Sequence, residues 1–221
     1  MKILTARPHR LLAACVDRLG EATARGEGCM FLVPLQYTLQ AELEIMERLH
    51  VSGSFLIDVL SPKRLQSRVF ELAGMPKQTL FDERGKCMVL SSIIEAQKDE
   101  LSVYRGAAQN GSSGFTARMS NMIASLKRSG LSAADVARSA ESMDTESPAR
   151  AKLGDIARIY AAYEQRMAGE LADAEDISRE MCARFEASGV FKGQNVFVYG
   201  FDMITPTFAA ELLSIAPLCR T

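Results

Sequence analysis

The segment Ala6-Arg7-Pro8-His9-Arg10-Leu11 follows the apolar run Ile3–Ala6, where an ATPase would carry its phosphate loop. Such a loop needs glycines, so that backbone amides can approach the phosphates, and a Lys-Ser/Thr pair for phosphate and magnesium. This segment has neither, and Pro8 removes an amide donor. Arg7 and Arg10 keep positive charge, but the cradle is missing, and the sequence predicts no ATP hydrolysis. A later strand of an ATPase commonly ends in an acidic pair; Tyr199-Gly200-Phe201-Asp202 offers Asp202 alone. Asp173, Glu175 and Asp176 cluster in LADAEDIS. Three close carboxylates could bind a metal. The same spacing also opens a helix, with Asp173 as cap and Glu175 and Asp176 in the favourable first turn, and we read it that way. Cys15, Cys29, Cys87, Cys182 and Cys219 contain no C-x-x-C pair, and His9 and His50 complete neither a zinc pattern nor a nucleophile–base set. The reading is of scattered reduced thiols in a cytoplasmic protein, with no catalytic, metal or cofactor site of its own. A formal net charge of −1 provides no global basic field, so any DNA contact must come from a local arrangement of Arg and Lys.

Elements must position whatever chemistry remains. Ile3–Ala6 reads as a buried strand. A helix follows, with Pro8 in its first turn, Leu11, Leu12, Cys15 and Leu19 on one face, and Gly26 as its stop. Cys29–Val33 reads as a second strand closed by Pro34. Leu39, Leu43, Met46 and Leu49 repeat at helical spacing, and Phe55–Leu60 reads as a third strand. This alternation predicts a parallel sheet with helices on its faces. From about Ser91 to Glu186 the pattern turns helical. Met119, Met122, Ile123 and Leu126 form one stripe, and Leu153, Ile156, Tyr160, Tyr163 and Met167 form another. Ser132 with Asp135 three residues on marks a helix start, with Leu131 as its staple. Asn110–Gly114 and Thr145–Pro148 are polar breaks. Asn195–Tyr199 returns to strand, and Thr205-Pro206 opens a last helix carrying Phe208, Leu212, Leu213 and Ile215. The prediction is an α/β domain interrupted by a helical insertion. The N-terminus lacks the apolar core of a signal peptide, and no run approaches the roughly 18 apolar residues of a membrane span.

Four segments, in order and at matching spacing, carry a resemblance: VPLQYTLQAELEIMERL, FLIDVLSPKRLQSRVF, LADAEDIS and VFVYGFDMITPTFAAELL. Together they resemble the N-terminal, helicase-like region of the AddB family, over residues 2 to about 216. AddB proteins are similar in fold to superfamily-one helicases. The resemblance therefore implies an α/β fold with a P-loop-like, superfamily-one helicase-like parallel sheet. Residues 1–85 and 190–221 would form the helicase-like domain, and 86–189 its helical inserted subdomain. Family members are much longer, so the chain corresponds to an N-terminal portion. The family partners AddA, which carries the motor and uses most of the ATP. AddB adds a magnesium-dependent nuclease domain with an iron–sulfur cluster, and no such motif occurs here. Some members keep a phosphate loop, from which ARPHRLL departs.

The resemblance also implies a function: scanning the unwound single strand for the recombination hotspot called Chi. The residues at the matching positions are Gln36 and Thr38 in VPLQYT, Pro62, Arg64 and Ser67 in SPKRLQS, and Phe201 in YGFD. Gln hydrogen-bonds a base edge in two directions, Thr contacts base or phosphate, and Arg binds guanine or stacks. Family members can carry aromatics near the Arg-Leu turn, whereas Pro62 and Ser67 weaken base stacking here. Against this stands a plainer reading: Gln36 and Thr38 as turn and helix cap, Arg64 as a solvated helix residue, Tyr37 packed in the core, and the domain as a scaffold for AddA and the nuclease.

Overall fold

The computed structural model describes residues 3–5, 7–111 and 113–220. Helix α1 (Pro8–Ala24) opens the chain and stops where Gly26 takes a left-handed φ of +74°. The Glu27 amide then reaches back to the Ala22 carbonyl at 3.1 Å, which satisfies one of the last helical acceptors. Strand β1 (Gly28–Leu32) leads through Pro34 and a 3-10 turn, Leu35–Tyr37, into α2 (Thr38–Leu49). Strand β2 (Ile57–Leu60) is followed by α3 (Pro62–Ala73), capped by Ser61 with Pro62 in its first turn. A two-residue strand β3 (Thr79–Leu80) precedes five helices: α4 (Glu83–Gln97), α5 (Arg105–Gln109), α6 (Ser113–Arg128), α7 (Ala133–Glu141) and α8 (Pro148–Met167). Next come β4 (Leu171–Ala172), α9 (Ala174–Ala183), α10 (Phe185–Ser188), β5 (Gln194–Val198) and α11 (Pro206–Ile215).

The chain divides into two compact units, one formed by residues 1–75, 180–204 and 208–221, the other by 76–179 and 205–207. In the first, the strands make a parallel sheet in the order β2-β1-β5. Leu32 at the end of β1 pairs with Leu60 on one side and Val198 on the other. Cys29, Phe31 and Val33 pack against Val16 and Leu19 of α1 and Ala41 and Ile45 of α2. An all-buried run like CMFLV is what a central parallel strand requires, because helices cover both of its faces.

Two expectations change. Ile3–Thr5 is not a strand: Ile3 is 79% exposed, and only Leu4 lies against the α1–β1 core. Ala6 lies outside the described residues. An extended run becomes a strand only where a ladder satisfies its backbone, and the ladders of this sheet, β1 with β2 and β1 with β5, do not include Ile3–Thr5. On α2, Leu39 and Leu43 are 67% and 56% exposed, while Ala41 and Ile45 face the core. The helix forms as its spacing predicts, but its buried face runs through Ala41 and Ile45, and of the predicted stripe Leu49 packs against that core.

The second unit is helical apart from the β3–β4 pair. Its core gathers Leu90, Ile123, Ile159, Tyr160, Tyr163 and Met167. The predicted stripes supply Met119, Ile123, Ile156, Tyr160, Tyr163 and Met167 to this core, whereas Met122 stands 45% exposed. Ser132 and Asp135 form the expected capping box.

Candidate nucleic-acid interface

Parallel strands all end on the same edge, and the chain segments leaving that edge become neighbours. The ladder continues just past the strands: the Val33 amide donates to the Leu60 carbonyl at 2.9 Å, and the Tyr199 amide to the Leu32 carbonyl at 3.0 Å. Three turns therefore start side by side, one after β2, one after β1 and one after β5. The sheet gathers Gln36 and Thr38 on the middle turn, Pro62 and Arg64 at the start of α3, and Phe201 just past Gly200. Open parallel sheets bind ligands at this edge.

The middle turn is built tightly. The Tyr37 amide donates to the Pro34 carbonyl at 2.9 Å, and the Thr38 hydroxyl to the Leu35 carbonyl at 3.0 Å. Gln36 is exposed with its amide free to meet a base edge, whereas Thr38 has its proton committed and offers its oxygen. On the neighbouring turn, the Arg64 amide donates to the Ser61 hydroxyl at 3.3 Å as part of the helix cap. Its guanidinium is 59% exposed and stands 3.9 Å from Glu42 on α2, which brings the two turns within one ion pair of each other. Ser67 lies one turn further along α3, exposed, with its hydroxyl donating to the Lys63 carbonyl at 3.2 Å. Pro62 fills the first helical position and offers only its ring. Phe201 is half-buried against Phe208, ring centroids 4.8 Å apart. Tyr37 belongs to the frame of the turn: burial, reinforced by Glu44, pushes its phenol up to about 12.

The carboxylates of LADAEDIS lie in the helical unit and are already engaged. The Asp176 amide donates to Asp173 at 3.0 Å and the Asp173 amide to Asp176 at 3.3 Å, so the pair caps α9 reciprocally. Spacing alone does not reveal the lysines. Lys127 Nζ lies 2.7 Å from Asp173 and 2.9 Å from Asp176, and Lys86 Nζ lies 3.4 Å from Glu175 and 3.8 Å from Asp173. Tyr163 donates to the same Asp173 oxygen at 3.0 Å. Burial raises the Asp173 carboxyl, but the Lys127 ammonium and the cap hydrogen bonds outweigh it and hold the group at about 2. Lys86 and Lys127 lie on the buried faces of α4 and α6, in line with Leu90 and Ile94 and with Ile123, and folding closes separations of 89 and 46 residues to make them partners of the carboxylates. Among the described residues, no group of three His, Cys, Asp or Glu is arranged to hold a metal ion, and no helix is long and apolar enough to cross a membrane.

In class, this is an α/β protein with parallel strands and a large helical unit, its candidate interface at the carboxyl edge of the sheet. The chain belongs to the AddB family: the family model described as "ADDB, N-terminal" matches residues 7–220. It is 32% identical over 208 residues to an ATP-dependent helicase/deoxyribonuclease subunit of Moorella thermoacetica, covering 91% of this chain and 18% of that protein. The protein of the same name from Alkaliphilus metalliredigens is 29% identical over 84% of this chain and 16% of its own length. That of Bacillus mycoides is 30% identical over 82% and 16%. The chain thus spans less than a fifth of the length of these relatives.

Proposed function

We propose that this chain is the N-terminal, helicase-like module of the AddB-type subunit in a DNA-repair helicase–nuclease. In this reading the sheet is a P-loop-like helicase domain that has lost its phosphate cradle, and the helical unit is its insertion. The module binds and scans single-stranded DNA for a recombination hotspot. It hydrolyses no ATP; the motor belongs to an AddA-type partner, and the magnesium-dependent, iron–sulfur nuclease chemistry to the remainder of the AddB-type polypeptide. The carrying observation is positional. Gln36, Thr38, Pro62, Arg64 and Phe201 are up to 165 residues apart in sequence, yet all lie on turns leaving one edge of one sheet.

A second reading has its own support. Leu35, Leu39 and Leu43 repeat every four residues along the turn and α2, and all three are exposed. Such a stripe suits a partner surface, and the Glu42 carboxylate already occupies Arg64. In this scaffold reading the domain only docks its partner and holds the nuclease.

The deciding experiment measures single-strand DNA affinity against salt for the complete two-subunit enzyme, with and without Arg64→Ala, over an oligonucleotide panel. A loss of about 1–3 kcal/mol confined to particular sequences means Arg64 reads a base. A uniform loss with a shallower salt slope means a phosphate contact. Unchanged binding removes Arg64 from the interface and favours the scaffold.

A further inference from the structure

We infer that Tyr37 is a positioning residue of this interface: it ties the turn after β1 to the turn after β5, so that Gln36 and Thr38 hold a fixed place relative to Phe201, without touching DNA itself. The inference rests on the base-scanning reading above.

Tyr37 stands between the two candidate contacts in sequence and is anchored at both ends of its side chain. Its ring packs on Tyr199 with centroids 5.9 Å apart, and Tyr199 stacks in turn on Phe31 of the central strand at 6.2 Å. Its hydroxyl donates to Glu44 of α2 at 3.2 Å. Gln40 donates to the same Glu44 oxygen at 2.7 Å, which fixes the acceptor. One side chain therefore joins the β1 turn to the end of β5 and to α2. The second turn runs directly against the first. Gly200 adopts φ +80°, and a Cβ there would lie 3.4 Å from Pro34 Cδ and 3.7 Å from Tyr37 Cδ1. The left-handed backbone at Gly200 sets the direction in which the chain continues to Phe201, and only glycine takes that conformation without strain.

The physical consequence is preorganisation. A mobile turn loses conformational freedom each time it binds, whereas an anchored one has lost it already on folding. A strand scanned at speed presents many wrong sequences, and discrimination among them needs Gln36 and Thr38 held still. Phosphate attraction needs no such precision. Loss of the anchor should therefore lower sequence discrimination and leave the salt slope alone.

The test compares Tyr37→Leu, Tyr37→Phe, Gln36→Ala and Thr38→Ala in the complete two-subunit enzyme. For each, single-strand DNA affinity is measured across an oligonucleotide panel at several salt concentrations. Tyr37→Leu should reduce the ratio of best to worst oligonucleotide about tenfold, and Tyr37→Phe, which loses only the hydrogen bond to Glu44, about threefold, both with the wild-type salt slope. If Tyr37→Leu fails to assemble, Tyr37→Phe decides alone. A wild-type ratio in the Tyr37 variants, with Gln36→Ala impaired, overturns the positioning role and leaves the scanning reading standing. A uniform loss of affinity for every oligonucleotide also overturns it, because that is what a merely structural side chain produces. A wild-type ratio in Gln36→Ala and Thr38→Ala removes the scanning reading, and the inference falls with it.

Discussion

Asp173 concentrates more of the helical unit's electrostatics than any other described side chain. Its carboxylate meets Lys127, Lys86, the Tyr163 hydroxyl and the Asp176 amide at 1% exposure. A buried pair is costly to break, because the surviving charge has no water to replace its partner. Lys127→Ala should destabilise the helical unit by about 3–5 kcal/mol, measured by chemical denaturation. The pH dependence has a definite sign. Asp173 is held at about 2 in the folded protein against an ordinary 3.8. Its stabilising contribution is therefore complete above about pH 4 and is lost as pH falls through about 2. Denaturation midpoints taken between pH 6 and pH 2 should show this loss, and Lys127→Ala should flatten it. Asp155 organises backbone in a similar way. Its buried carboxylate accepts the amides of Ser102, Val103 and Tyr104 at 2.8–2.9 Å and so fixes the approach to α5.

At the scale of elements, the local signals are caps. Ser132 and Asp135 satisfy each other's backbone at the start of α7, and Ser132→Ala should cost about 1 kcal/mol, read as a lower denaturation midpoint. Helix α2 ends differently. His50 takes the left-handed conformation at φ 55°, a position where glycine is favoured. His50→Gly should raise stability by about 0.5–1 kcal/mol, since relief of Cβ crowding outweighs the added freedom of the unfolded chain. An unchanged or lower midpoint would show that the His50 backbone carries little strain.

For the whole molecule, the two compact units have separate cores, and their stabilities should respond separately. Hydrogen exchange followed by mass spectrometry provides the check. Lys127→Ala should release the amides of α4, α6 and α8 while β1, β2 and β5 keep their protection. A loss of protection spread evenly over both units would mean that they unfold as one. The single-strand DNA measurements use the complete two-subunit enzyme, because the relatives are more than five times as long as this chain.

Much of the fold was legible because the relevant forces are local. Gly26 and Pro34 punctuate the first helix and strand, CMFLV reads as a central strand, and the stripe through Ile156, Tyr160 and Tyr163 reads as core. The family was legible too, from four short segments in order. Local pattern does not reveal which partner an element finds. Ile3–Thr5 has the composition of a strand but joins no ladder of the sheet. The leucines of α2 have the spacing of a buried face, yet Ala41 and Ile45 lie closest to the sheet. Asp173, Glu175 and Asp176 read correctly as a helix start, but Lys86 and Lys127 come from helices far away in sequence. Likewise, Gln36, Arg64 and Phe201 are three unrelated turns in the sequence. The sequence determined the elements, their ends and the lineage; the parallel register of three strands decided which turns became neighbours, because strand order is set by ladder pairing and burial across long separations.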